Sequence, residues 1–206
     1  GADVINCSWG SQLTTTMTAG MAAVVANGVV ICHAAGNENL DDPDYLDDQV
    51  FGDPVLSVAS VGPSSDVKSG FSNFGFWIDV SAPGSDIFNT YAPLGVATMA
   101  SLSGTSMAAP TVCGLALLLR SAKPSLTKDQ VDSIIINTAD NIDGVNPLHA
   151  GMLGSGRINA FTALSGLPIA KFSPDVTAGN VPLTVNFTDL TPGTPTSWNW
   201  SFGDAG

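Results

Sequence analysis

One serine in this chain stands where its hydroxyl could act as a nucleophile. Ser106 lies in Gly104-Thr105-Ser106-Met107-Ala108-Ala109-Pro110, directly before the apolar run Val112 to Leu119. That run predicts a buried helix. At the mouth of a helix the backbone N–H groups lack partners and the dipole is positive. An oxyanion forming beside Ser106 would be stabilised there. Gly104 permits a tight turn, and Ala108 and Ala109 leave room for a substrate or a neighbouring segment. Pro110 is expected within the first turn or so, where a missing N–H costs least. Acyl transfer by serine also needs a base, an oxyanion hole and a substrate groove.

The elements that must position Ser106 are readable upstream. Ala2 to Cys7 predicts a buried strand that enters a turn at Ser8-Trp9-Gly10. Thr14 to Ala26 carries Met17, Met21, Val24 and Val25 at helical spacing, with Gly28 as a C-cap. Val29 to Ala34 predicts a second strand, and Gly36-Asn37 closes it. Strand, helix, strand makes a βαβ unit with parallel neighbouring strands. Their continuous apolarity implies burial on both faces. Val55 to Val61 is a further strand, and Ala97 to Ser103 runs into the serine motif. Beyond it Ser125 is the expected N-cap of a helix carrying Val131, Ile134 and Ile135, and a short helix ends near Leu164.

Bulk properties narrow the class. The chain has 206 residues, a net charge of −12 and 44% hydrophobic residues against 12% charged. This suits a globular protein with a large core. The acidity speaks against nucleic acid or an anionic membrane as partner, and no apolar run of about 18 residues could span a bilayer. Cys7, Cys32 and Cys113 lie in apolar or small-residue settings. They read as buried free thiols, with a Cys7–Cys32 bridge the alternative, and show no paired spacing for zinc.

The serine motif closely resembles the nucleophile segment of the subtilisin-like serine proteases, the subtilases. The resemblance covers about residues 1 to 164 and rests on several ordered motifs. It implies an α/β fold with a parallel sheet and helices on both faces. Ser106 matches the nucleophile, and Ala34-Ala35-Gly36-Asn37 matches the segment whose Asn side chain donates to the oxyanion. A neutral amide suits that task because it points N–H at developing charge without titrating. Ser8-Trp9-Gly10 resembles the strand that pairs with substrate backbone and walls the primary specificity pocket, with Trp9 in place of a leucine. Ala34, Ala35 and Gly36 resemble the opposite wall. Neither wall segment holds Asp or Glu, which predicts a pocket for large apolar side chains. Phe71 to Gly75 and Asp79 to Gly84 are further family-like segments, structural in role.

The resemblance also exposes a gap. The family's Asp-x-Gly strand end and His-Gly-Thr-His helix start are absent here. His33 reads as a packed core residue and His149 as a loop residue, and neither matches the base. The base and its aspartate are expected upstream of Gly1, so the 206 residues alone are expected to be inactive. The alternative is a non-catalytic adhesin or binding protein built on a dead protease fold. The substrates are expected to be polypeptides and the protein a secreted, extracellular monomer. No cofactor is required for the chemistry. The acidic stretch Asp41 to Asp48 could hold a structural Ca²⁺, though a solvated acidic face is the plainer reading.

Composition changes at 165–168, the expected linker. From residue 169 the chain resembles the start of a PKD (polycystic kidney disease) domain, an immunoglobulin-like β-sandwich. Pro182 to Asp189 and Trp198 to Asp204 carry that match.

Overall fold

The computed structural model describes residues 1–10, 14–41, 55–92, 95–167 and 172–191. The chain divides into two compact units, Gly1–Ala163 and Leu164–Gly206.

In the first unit four strands form one parallel sheet in the order β1-β2-β3-β4: β1 Val4–Cys7, β2 Val30–Ala34, β3 Leu56–Val61 and β4 Val80–Pro83. Every residue of β2 and β3 is buried, as their mostly apolar sequence favours, with His33, Ser57 and Ser60 the polar exceptions. Helix α1, Thr15–Ala26, joins β1 to β2. It starts at Thr14, whose hydroxyl accepts from Met17 N–H at 3.2 Å, and ends before Gly28 at φ 72°. Its Met21, Val24 and Val25 pack with Ile5, Cys7, Ile31 and Val55.

Helix α2, Thr105–Ala122, lies across β1 to β4. Its buried stripe is Ala108, Ala109, Val112, Cys113, Leu115, Ala116 and Leu119. The alanines at its start let the helix backbone approach the sheet closely. Helix α3, Lys128–Asn137, begins with a capping box of Thr127 and Gln130. The expected cap, Ser125, lies two residues too early. Thr127 wins because Gln130 stands three positions on and answers its backbone N–H at 3.0 Å.

Before α2 the chain forms a hairpin of β5, Ile87–Tyr91, and β6, Thr98–Leu102. Gly84, just after β4, fixes the serine motif from below, because Gly104 N–H donates to Gly84 O at 2.8 Å. A Cβ on residue 84 would meet Ser60 Oγ at 2.5 Å and Gly104 O at 2.7 Å, so only glycine fits.

The three cysteines are free and buried. Asn6 stands opposite Cys32 and Cys7 opposite His33, so Cys7 and Cys32 project from opposite faces of the sheet. A bridge between them is thereby excluded. Burial pushes the Cys7 thiol up to about 11, which leaves it unreactive at neutral pH.

In the second unit β7, Phe172–Pro174, pairs antiparallel with β8, Phe187–Asp189. Phe172 and Phe187 meet edge to face at 5.6 Å. The Trp198 to Asp204 motif lies outside the described residues.

Candidate active site

Ser106 is the second residue of α2, so its backbone N–H belongs to the first turn, where no intrahelical carbonyl is available. Gly104 is the N-cap and contributes no side-chain bond. Pro110 lies inside the helix rather than in its first turn, because α2 begins at Thr105, before the apolar run. As the sixth helical residue, Pro110 cannot donate to the carbonyl of Ser106. Ser8 takes that place: its hydroxyl donates to Ser106 O at 2.8 Å. In return Ser106 Oγ donates to Ser8 O at 3.3 Å. The Ser106 segment is thus tied to one wall of the expected pocket by two reciprocal bonds.

Asn37 lies beyond the carboxyl end of β2. Its Oδ1 accepts from Thr105 N–H at 2.9 Å and from the Thr105 hydroxyl at 3.1 Å. A backbone N–H can only donate, so the atom facing it must be the amide oxygen. The amide N–H₂ therefore points away from Thr105. The same hydroxyl accepts from Gly36 N–H at 3.1 Å. Thr105, fully buried, holds both Gly36 and the Asn37 amide. The sequence alone gives it no role, although it adjoins Ser106.

Asn73 secures the same loop from behind. Its Oδ1 accepts from Glu38 N–H and Leu40 N–H, both at 3.0 Å, and its Nδ2 donates to Ala35 O and Glu38 Oε2. Buried Lys68 donates to Asn39 Oδ1 at 2.7 Å and to the carbonyls of Ser69 and Ser72.

A cavity of about 130 Å³ lies between the two predicted walls. Trp9, Gly10, Ala34, Gly36, Asn37, Thr105 and Ser106 line it, and Glu38 joins them. Ser8 reaches Ser106 through its hydrogen bonds, and Ala35 is buried in the core, bonded to Val58 O. Glu38 corrects the expectation of a wholly uncharged lining: the residue just past Asn37 brings a carboxylate, and its Oε2 accepts from Asn37 N–H at 2.7 Å. On the other side of Ser106 a groove of about 340 Å³ runs between α2 and the hairpin, lined by Ile87, Asn89, Leu102, Met107 and Thr111 among others.

Among the described residues no imidazole reaches the Ser106 hydroxyl. His149 packs edge to face on Phe74, with ring centroids 4.6 Å apart. His33 is buried, and its Nε2 lies 3.2 Å from Trp9 O. Burial pulls its pKa from 6.5 down to about 4, against the smaller raising effect of the Trp9 bond. Between these values the unfolded chain takes up a proton that the folded chain refuses. Stability is therefore kept above pH 6.5 and lost as pH falls toward 4, by roughly 3 kcal/mol from this group. Urea unfolding at pH 7 and pH 4.5 should show that loss, and His33→Gln should remove most of it.

No group of three or more His, Cys, Asp or Glu among the described residues is placed to hold a metal ion. The acidic stretch beyond Asp41 lies outside the described residues. Among them no helix is long and apolar enough to cross a membrane.

Comparison with known proteins agrees with this geometry. The sequence model of the Subtilase family matches residues 1–161. Thermitase of Thermoactinomyces vulgaris is 39% identical over 168 residues, 80% of this chain and 54% of its own length. An extracellular protease of Xanthomonas campestris pv. campestris is 37% identical over 171 residues, 80% of this chain and 28% of its own. A solved protease of Pseudoalteromonas arctica superposes with a TM-score of 0.70 at 33% identity, covering 80% of this chain and 51% of that one. The chain spans about half, or less, of the length of these relatives. With the parallel sheet, the serine at the helix mouth and the asparagine beside it, these matches establish that the chain belongs to the subtilase family.

Proposed function

We propose that the full-length protein is a secreted serine endopeptidase with Ser106 as nucleophile. One observation carries the reading: the Thr105 bonds turn the Asn37 amide N–H₂ away from Thr105, in the cavity lined by Asn37 and Ser106. Ser106 Oγ attacks the peptide carbonyl. Asn37 Nδ2 and Ser106 N–H hold the resulting oxyanion. The hydroxyl proton passes to an imidazole outside these 206 residues, oriented by an aspartate that is also outside them. His33 and His149 take no part in the transfer.

The side chain before the cut bond enters the cavity between Ser8-Trp9-Gly10 and Ala34-Ala35-Gly36. The side chain after it faces the groove beside Met107 and Leu102. Glu38 supports acceptance of basic as well as apolar side chains. Glu38→Gln should lower kcat/KM for Lys and Arg substrates by up to about fivefold relative to Phe substrates, the worth of one exposed ion pair. A peptide library profiled on parent and variant checks this.

No metal is needed for the chemistry. A calcium ion on the acidic stretch after Asp41 would serve stability alone. Residues 165–168 link the peptidase unit to the start of a PKD-like domain at 169–206. Extracellular action is supported by the relatives' character, and the enzyme works as a monomer on polypeptides. The test is labelling of the full-length protein with a fluorophosphonate, followed by mapping of the modified peptide. Label on Ser106 supports the reading. An intact protein that neither takes the label nor cleaves casein overturns it in favour of a non-catalytic binding protein.

A further inference from the structure

The two walls of the cavity are the ends of two strands that have just parted. β1 and β2 pair from Val4 opposite Val30 to Cys7 opposite His33. Past that last pair β2 stays on β3, with Ala34 opposite Val58 and Ala35 N–H donating to Val58 O at 3.0 Å. The other chain leaves as Ser8-Trp9-Gly10, and the cavity opens between them. Where the ladder stops, a side chain makes the next bond: His33 Nε2 to Trp9 O, at 3.2 Å.

A carbonyl only accepts, so Nε2 carries the proton. Nδ1 is then a bare lone pair, buried and without a donor among the described residues. A histidine 2% exposed with one ring nitrogen orphaned is costly in a core. An aliphatic side chain would fill the space without that cost. What the imidazole adds is its hold on Trp9. Desolvation keeps the ring neutral at ordinary pH, so one nitrogen always carries a single proton to donate.

We propose that His33 is a positioning residue for the primary specificity pocket: by holding the Trp9 carbonyl at the fork of β1 and β2, it sets the gap between the two walls and so the size of the substrate side chain admitted. The inference rests on the protease reading above. It reaches the substrate only through Trp9, so His33 is not a catalytic residue.

The experiment uses the full-length protein and peptides that differ only in the residue before the cut bond, alanine or phenylalanine. His33→Leu removes the donor, and His33→Gln retains one. The ratio of kcat/KM for Phe over Ala should change about tenfold in His33→Leu, mostly through KM, as expected for one hydrogen bond. His33→Gln should recover most of the parent ratio. A small fluorophosphonate that leaves the pocket empty should label Ser106 at the parent rate in both variants. An unchanged ratio in His33→Leu, or a His33→Gln no better than His33→Leu, overturns the proposal. Should His33→Leu not fold, the nitrogen NMR spectrum of the parent imidazole decides, since an Nδ1–H tautomer also overturns it. A parent that neither hydrolyses peptides nor takes the label at Ser106 overturns the protease reading, and this inference with it.

Discussion

Ser106→Ala in the full-length protein is expected to lower kcat by a factor on the order of 10⁶, with KM nearly unchanged. The hydroxyl is the only atom lost. It forms one long bond in this structure, to Ser8 O at 3.3 Å, so its removal leaves little unsatisfied. The second tie, Ser8 Oγ to the Ser106 carbonyl, involves only backbone on the Ser106 side and survives the change. The variant should therefore fold and bind peptides as the parent does. Turnover of a chromogenic peptide, with thermal unfolding in parallel, checks both halves. Retained turnover at the parent level would remove Ser106 from the chemistry.

Asn37→Leu is expected to lower kcat by roughly 10²–10³, again with a small effect on KM. On the proposed role the amide N–H₂ faces the place where charge would develop, and a ground-state carbonyl would gain less from it than an oxyanion. The substitution also leaves Thr105 N–H and its hydroxyl without their acceptor. Thr105 is fully buried, so a modest loss of stability should accompany the loss of rate. Kinetics on short and long peptides separate the two effects. A loss confined to KM would assign Asn37 to ground-state binding instead.

The parts of this fold legible in the sequence were those governed by local pattern. The mostly apolar runs Val30 to Ala34 and Leu56 to Val61 mark strands covered on both faces, and both are wholly buried, His33, Ser57 and Ser60 included. Gly28 marks the end of α1 and adopts the positive φ that glycine tolerates. Harder to read were features decided by residues far apart in sequence. The role of Thr105 exists only because Gly36 and Asn37 arrive 69 and 68 residues upstream in the chain. Glu38 lies outside both wall segments, and it lines the cavity, while still exposed, only because the loop pinned by Asn73 brings it there. Pro110 suggested a helix start near itself, but α2 runs back through it to Thr105, since Ser8 satisfies the carbonyl that the proline leaves open. The cap of α3 moved from Ser125 to Thr127 for a local reason, the reciprocal bond from Gln130.

The exchange at Pro110 bears on how the site comes into being. The bonds within helix α2 are local, but they alone leave its serine incomplete. The Ser106 carbonyl finds its donor across 98 residues, and the Thr105 hydroxyl finds Gly36 across 69. Contacts that close such long loops carry a large entropy cost and form late in folding. The Ser106 site is therefore a product of the finished sheet rather than of its own helix. On the protease reading, a growing or partly refolded chain would carry no competent nucleophile, and neighbouring unfolded copies would be spared while they are most vulnerable.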